Sequence, residues 1–133
     1  MSCSKLESTK LPENLTSIGV GSFALAFTSD KINSNTIDIY IPSTIRKLDK
    51  ESFAGYSLDS GGNKKIDKIY FGSNEIDLVK NIPDNITINS ETFVNSTINQ
   101  VIIYCSSEDY GLWNSPATMS KFPSGVQFIF PCQ

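Results

Sequence analysis

The chain contains no histidine among its 133 residues, and its three cysteines, Cys3, Cys105 and Cys132, show no C-x-x-C spacing. Without histidine the sequence cannot supply a Ser-His-Asp or Cys-His catalytic group, or a histidine-ligated metal site. The cysteine pattern suggests neither a disulfide framework nor a thiolate metal site. We therefore expect free thiols, no bound metal and no catalysis by these mechanisms.

Basic charge and long apolar runs are also scarce. Eleven Lys and Arg stand against fourteen Asp and Glu, which gives a formal net charge of −3, and only Lys64 and Lys65 are adjacent basic residues. This distribution argues against a nucleic-acid partner. No apolar run has the length of a secretory signal or a membrane span. We therefore expect no membrane insertion, and an intracellular or virion location rather than classical secretion.

A pattern of proline, an aliphatic pair and phenylalanine occurs three times in the chain. The three segments are Leu11–Phe23, Ile41–Phe53 and Ile82–Phe93. Short β-branched segments accompany them, at Ile37–Ile41, Asp67–Phe71 and Gln100–Tyr104. Tyr70 follows Tyr40 by 30 residues, and Tyr104 follows Tyr70 by 34. Repeats of this length predict a solenoid.

Alternation within the β-branched segments predicts which side chains are buried. In Ile-x-Ile the isoleucines face inward, and the following proline ends the strand because it has no N–H to donate. We expect one buried column of Ile39, Ile69 and Ile103. A second column would contain Phe23, Phe53 and Phe93, because one repeat alone cannot bury these side chains.

The segment Ile39–Leu58 resembles the BspA-like leucine-rich repeat, which contains Ile-x-Ile-Pro, an aliphatic pair, a small residue, Phe and then Leu. Leu11–Phe23 matches nearly as well, whereas the third unit has about one extra turn of chain between Gly72 and Asn81. The resemblance covers roughly residues 9 to 105. It implies a leucine-rich-repeat solenoid with a short parallel sheet on one face and loops and short helical turns on the other. Members of the family are mostly surface or adhesion proteins that bind other proteins.

These observations predict a single domain over residues 1–133. The repeats would occupy about 9–36, 37–66 and 67–105, followed by a C-terminal cap over 106–133. The cap contains Tyr110, Leu112, Trp113 and the sequence Phe128-Ile129-Phe130. We expect this apolar segment to cover the last repeat, with Trp113 in its core. The alternative is that Trp113 anchors an interface with a partner.

Strand alternation also predicts the residues that face outward and bind a partner. The six candidates share one predicted sheet face: Lys10, Asp38, Tyr40, Lys68, Tyr70 and Tyr104. Neighbouring strands lie about 4.8 Å apart, so the three tyrosine rings would stack into a ladder. Two interpretations remain open, because such a ladder stabilises a sheet by itself and also suits recognition of a protein or glycan.

One segment has the spacing of a cofactor-binding loop. Gly19 to Ala24 fits the G-x-G-x-x-G/A fingerprint of dinucleotide-binding loops, and Asp38 stands at nearly the distance of a ribose-binding acid. The same segment aligns with Leu48–Phe53, which contains no glycine. The repeat therefore explains its apolar residues, and we expect no cofactor. Asp59–Asn63 lacks the alternating ligands and distal Glu of a calcium loop, so we interpret it as an insertion.

Two classes of function follow from the sequence. The first is a non-enzymatic protein-binding or structural module, for example a subunit of a virion or cell-surface structure, which contacts other chains through the strand face or the N-terminal edge. A small-molecule ligand is not expected. The alternative is a glycan-binding or glycan-active protein that uses the tyrosine strip with nearby carboxylates.

Overall fold

The computed structural model describes residues 11, 14–22, 36–55, 65–72, 77–79 and 87–133, and these residues form two short parallel sheets and two short helices. The elements in chain order are β1 (Ser17–Ile18), β2 (Thr36–Ile41), β3 (Lys47–Leu48), β4 (Lys65–Phe71), β5 (Thr87–Ile88), β6 (Ile98–Ile103), α1 (Ser107–Trp113), α2 (Pro116–Met119) and β7 (Gln127–Ile129). Strands β2, β4, β6 and β7 form one sheet in that order, and β1, β3 and β5 form the other.

Buried aliphatic side chains form the inner face of the four-stranded sheet. In β2, Ile37, Ile39 and Ile41 are buried, while Asp38 and Tyr40 between them are more exposed. The strands β2, β4 and β6 run parallel and present equivalent apolar residues to the interior. This confirms the inside and outside assignment made for β2 from its Ile-x-Ile alternation.

The three-stranded sheet contains the second residue of each repeated aliphatic pair. Ile18, Leu48 and Ile88 are paired in register and buried. The Asp49 N–H donates to the Ile18 carbonyl at 2.9 Å, and the Asn89 N–H donates to the Leu48 carbonyl at 3.1 Å. The backbone groups of these segments are therefore satisfied by pairing between strands rather than within helices.

This second sheet overturns the predicted fold class. We expected a leucine-rich-repeat solenoid with one sheet opposite loops and short helical turns. The positions expected in loops and helical turns instead form the parallel strands β1, β3 and β5. The described residues show two short parallel sheets and few helices, and a solenoid is not indicated. The prediction of a leucine-rich-repeat solenoid is wrong, although a parallel sheet is present as expected.

The register of β6 also corrects one predicted column. Ile39 pairs with Ile69, and Ile69 pairs with Val101, whereas Ile103 pairs with Phe71. The predicted column of Ile39, Ile69 and Ile103 is therefore wrong by two residues in its last member. All the side chains concerned are buried, so the shift exchanges one aliphatic residue for another in the core.

Aromatic side chains fill the space between the sheets and the C-terminal segment. Phe53 and Phe93 stack with ring centroids 5.7 Å apart, which confirms the predicted contact of these two residues; Phe23 lies outside the described residues. The ring centroids of Phe122 and Phe93 are 5.2 Å apart. Trp113 is fully buried, and its ring centroid lies 5.2 Å from that of Phe71. The prediction that Trp113 belongs to the core is therefore confirmed.

The C-terminal segment begins with two capped helices. The Ser106 hydroxyl accepts a hydrogen bond from the Asp109 N–H at the start of α1, and Ser115 does the same for Thr118 at the start of α2. Such caps satisfy N–H groups that a short helix cannot bond internally. The chain then returns to the four-stranded sheet, where β7 pairs with β6 in parallel.

Candidate functional site

The outer face of the four-stranded sheet carries two rows of side chains that cross its strands. The register aligns Asp38, Lys68, Gln100 and Gln127, which we call the polar row. Two residues further along, it aligns Tyr40, Tyr70, Ile102 and Ile129, which we call the apolar row. Side chains two residues apart in a strand share a face. The two rows therefore lie side by side.

Two tyrosines at one end of the apolar row form a stacked pair. The ring centroids of Tyr40 and Tyr70 are 4.6 Å apart, with 5° between the ring planes. This spacing matches the distance between neighbouring strands, about 4.8 Å, so the backbone register itself holds the rings together. Tyr40 is 38% exposed and Tyr70 is half-buried beside it. Burial raises the pKa of Tyr70, with smaller contributions from Tyr40, Asp38, Tyr104 and Asp67.

The predicted third member of the tyrosine ladder does not occupy its expected place. Tyr70 pairs with Ile102, and Tyr104 follows the end of β6. The Tyr104 N–H donates to the Phe71 carbonyl at 2.9 Å, and its own carbonyl accepts from the Val79 N–H at 2.9 Å. Tyr104 is therefore half-buried beyond the apolar row, where it lies against Gly72. The ladder contains Tyr40 and Tyr70, and the placement of Tyr104 in register with them is wrong.

A β-bulge in β4 brings the Asp67 carboxylate close to the Asp38 carboxylate, next to the tyrosine pair. Ile66 and Ile69 are both buried although they are three positions apart in β4. The register shifts between Ile37 and Asp38 because β2 lacks the extra residue. The extra residue of β4 is Asp67, whose carboxylate accepts a hydrogen bond from the Asn99 amide at 2.9 Å.

The environment of the bulge changes the ionisation of Asp38. Burial and the nearby negative charge of Asp67 raise the pKa of Asp38, while the Lys68 ammonium and a hydrogen bond from the Lys68 N–H oppose that rise. The Asp38 and Asp67 carboxylates are thus neighbours beside Tyr70, with Lys68 as a close positive charge. Asp38 and Lys68 lie on the predicted face of the sheet.

The N-terminal edge is described only in part. Lys10, the first of the predicted partner-binding residues, lies outside the described residues. The neighbouring Leu11 is buried, and its N–H donates to the Tyr40 carbonyl at 3.3 Å. Leu11 therefore lies along the β2 side of the sheet, next to the tyrosine pair.

The glycine fingerprint has a conformational explanation. Residues Gly19–Ser22 form a turn after β1, in which Gly21 has a φ of 65°. In the turn after β3, Glu51 also has a positive φ, of 57°. The two turns are joined by a hydrogen bond from the Gly21 N–H to the carbonyl of Lys50, the residue before Glu51. Gly21 therefore relieves strain in a left-handed turn that β1 and β3 share. The calcium-like segment Asp59–Asn63 lies outside the described residues.

Cysteine, metal and membrane features can be assigned for the described ranges. Cys105 and Cys132 are free thiols, and Cys3 falls outside those ranges. Within them, His, Cys, Asp and Glu side chains form no group of three suited to a metal ion. Neither α1 nor α2, nor any other helix in the part of the chain described, is long and apolar enough to cross a bilayer.

Comparisons with protein-family models, curated proteins and solved structures found no match to this chain.

Several residues of the outer face were not predicted from the sequence. They are Gln100, Gln127 and Ile129 in the two rows, and Asp67 with Asn99 at the bulge. The signal for the bulge was the spacing of three between buried residues in β4 and β6, at Ile66 and Ile69 and at Ile98 and Val101. Regular alternation would require a spacing of two.

Proposed function

We propose that the chain is a non-enzymatic protein-binding module that contacts its partner through the outer face of the four-stranded sheet. The observation that carries this proposal is the stacked, solvent-facing pair of Tyr40 and Tyr70. Tyrosine is enriched in interfaces because its ring supplies contact area and its hydroxyl supplies a hydrogen bond.

The tyrosine pair suits binding because it is already ordered. Each ring limits the rotation of the other, and the strand register fixes both rings, so binding costs little additional side-chain entropy. A single exposed aromatic side chain on a loop would lose more freedom in forming the same contact.

The surroundings of the pair resemble the composition of a protein interface. Ile102 is only 8% exposed, and the half-buried Ile129 extends the apolar row beyond it. Gln100 donates to Gln127 at 3.2 Å in the polar row beside it. Asp38 and Lys68 provide both signs of charge at the end nearest the tyrosines. Apolar contact area bordered by polar groups is the usual arrangement of a binding surface.

The proposal can be tested by capture from a lysate of the source cells. The immobilised baits would be the wild-type chain, a Tyr40→Ser/Tyr70→Ser variant and a Val20→Ser control, since Val20 is 61% exposed outside the four-stranded sheet. We expect at least one protein to bind the wild type and the control but not the tyrosine variant. Once purified, that captured protein should bind the wild-type chain directly. Equal capture by all three baits would refute the outer face as the binding surface.

A second candidate function is glycan binding, which the acidic pair favours. The charge of Asp67 raises the pKa of Asp38, and both carboxylates contribute to the raised pKa of Tyr70. Carboxylates accept hydrogen bonds from sugar hydroxyls, and a flat tyrosine surface suits the apolar face of a sugar ring. Because these groups lie on a sheet face, we propose binding rather than hydrolysis for this candidate.

A glycan array separates the two candidates. If glycans are the ligands, the wild-type chain should bind a defined set of them, and Asp67→Asn should weaken that binding together with Tyr70→Ser. If a protein is the ligand, the array should remain empty while the capture experiment identifies the partner.

A further inference from the structure

Two cysteines share a cavity at the C-terminal end of the chain. The cavity has a volume of about 430 Å³, and Cys105 and Cys132 are both among the residues that line it, with Ser106 and Leu78. Cys105 follows the last residues of β6, and Cys132 lies three residues after β7. Because β6 and β7 are paired in parallel, their carboxyl ends lie at the same end of the sheet. The segments that follow the two strands therefore leave the sheet side by side.

Hydrogen bonding brings the chain end to Cys105. The Gln133 side-chain amide donates to the Cys105 carbonyl at 3.0 Å. Gln133 is the neighbour of Cys132 in sequence, so this bond holds the Cys132 backbone beside Cys105. The two thiols also interact electrostatically, since Cys132 contributes to the raised pKa of Cys105.

The two thiols differ in accessibility. Cys105 is fully buried, whereas Cys132 is partly exposed. Burial raises the pKa of Cys105 to about 11, with smaller contributions from Asp109 and Cys132. Since the thiolate is the reactive form, an external reagent should react first at Cys132.

From this arrangement we propose that Cys105 and Cys132 form a reversible disulfide that fastens the C-terminus to the end of β6. A low-molecular-weight disulfide such as oxidised glutathione is the oxidant. The Cys132 thiolate attacks one glutathione sulfur, which forms a mixed disulfide and releases one glutathione. The Cys105 thiolate then attacks the Cys132 sulfur and releases the second glutathione. Both cysteines are oxidised, two equivalents of glutathione are formed, and the two thiol protons pass to them.

The tryptic map of the chain makes the pairing directly observable. Cleavage after Lys5, Lys80 and Lys121 places Cys3, Cys105 and Cys132 in three separate peptides, namely residues 1–5, 81–121 and 122–133. The fully reduced native protein would be incubated with oxidised glutathione, alkylated, digested without reductant and analysed by mass spectrometry. We expect peptides 81–121 and 122–133 to be linked, with a loss of about 2 Da from the intact protein.

Three variants control the assignment. Cys3→Ser should give the same linked peptides as the wild type. Cys132→Ser should give no link and should not react at the buried Cys105. Cys105→Ala should stop at a mixed disulfide of Cys132 with glutathione. The same oxidation in concentrated urea should produce links that also involve Cys3, because unfolding removes the proximity of the native pair.

Thermal unfolding provides the second measurement. A bridge that suits the native geometry restricts the unfolded chain, so the oxidised protein should melt roughly 5 to 10 °C above the reduced protein. Stable glutathione on Cys132 without a link, a native link that involves Cys3, or a bridged protein that melts below the reduced form would each overturn the proposal.

Discussion

Two aromatic stacks in this protein have similar geometry and opposite surroundings. Phe53 and Phe93 stack in the core, with centroids 5.7 Å apart and 16° between the ring planes. Tyr40 and Tyr70 stack on the outer face, with centroids 4.6 Å apart and 5° between the planes. Both Phe side chains are at most 3% exposed, whereas Tyr40 is 38% exposed. Parallel packing of equivalent residues produces both stacks, so burial is what separates their roles.

The buried stack continues into the C-terminal segment, and the exposed stack does not. Phe122 packs on Phe93 and meets Phe71 and Phe128 edge to face, which joins the stack to the rest of the core. The tyrosine pair is followed in its row by Ile102, which is aliphatic. We therefore expect the phenylalanines to determine folding stability and the tyrosines to determine recognition, and the following experiments test that division.

The largest effect is expected for Phe53→Ala. Phe53 is fully buried and stacked on Phe93, so its truncation removes apolar burial and leaves a cavity. The free energy of unfolding should fall by about 3 to 5 kcal/mol, measured by urea denaturation. Val20→Ala, at a residue that is 61% exposed, serves as a control and should change stability by less than about 0.5 kcal/mol. A loss below about 1 kcal/mol for Phe53→Ala would contradict the importance of the buried stack.

Tyr70→Ser tests the contribution of the exposed stack to binding and to folding stability. The substitution should weaken binding to a partner captured through the outer face by about 1 to 3 kcal/mol, because an ordered aromatic side chain contributes strongly to an interface. Its cost in folding stability should remain under about 1 kcal/mol. Titration calorimetry and urea denaturation give the two values. If Tyr70→Ser unfolded the protein as severely as Phe53→Ala, the distinction between the two stacks would fail.

The residues that precede the phenylalanines provide a smaller test of the buried region. The Thr92 hydroxyl donates to the Leu48 and Asp49 carbonyls at 3.1 and 3.2 Å. The buried Ser52 hydroxyl has no hydrogen-bond partner among the described residues. Thr92→Val should therefore cost about 1 kcal/mol, whereas Ser52→Ala should be neutral or stabilise by up to about 1 kcal/mol. Thermal and urea unfolding check both values, and a larger cost for Ser52→Ala than for Thr92→Val would reverse this interpretation.

The smallest effect concerns Asp38, beside the exposed stack. Its pKa is raised because of burial and the charge of Asp67, so the folded state holds the Asp38 proton more tightly than the unfolded chain does. Ionisation of Asp38 therefore opposes folding, and its contribution becomes less favourable as the pH rises from its ordinary pKa of 3.8 through the higher folded value. Asp38→Asn should stabilise the protein by at most about 0.5 kcal/mol at pH 7, given solvent screening. The gain should disappear at pH 3.

Asp49→Asn is the matched variant with the opposite sign. A hydrogen bond from the Lys50 N–H and the charge of Lys47 lower the pKa of Asp49, so its ionised form favours folding. That contribution is present above the ordinary pKa and is lost as the pH falls through the lower folded value. Asp49→Asn should therefore lower stability at pH 7 and have no effect at strongly acidic pH. Urea denaturation at a series of pH values measures both variants, and differences of the same sign would refute this account.

Alternation made part of the outer face predictable from the sequence. In β2 the isoleucines and the polar residues alternate strictly, so Asp38 and Tyr40 could be assigned outward. In β6 the consecutive residues Val101, Ile102 and Ile103 are all apolar, which leaves the face of each residue ambiguous. An alignment that matches Tyr104 with Tyr70 therefore differs by two residues from the observed register, in which Tyr70 pairs with Ile102.

The second sheet and the position of Asp67 beside Asp38 lay beyond what the sequence pattern could specify. Strands of two residues, such as Ser17–Ile18 and Lys47–Leu48, are too short for alternation to be visible, and their pairing depends on how distant segments pack. For the same reason the aliphatic pairs were expected in loops and helical turns. The spacing of three between Ile66 and Ile69 indicates an irregular strand, but the proximity of Asp67 to Asp38 depends on how β4 pairs with β2.

The parallel pairing of β6 with β7 has a mechanical consequence. Their hydrogen bonds run across the sheet, and Gln133 lies four residues beyond β7. A tension applied to Gln133 along the strand direction would load these bonds together, in shear. A pull across the sheet would open them one after another, as in unzipping. The C-terminal strand should therefore resist a longitudinal force better than a transverse one.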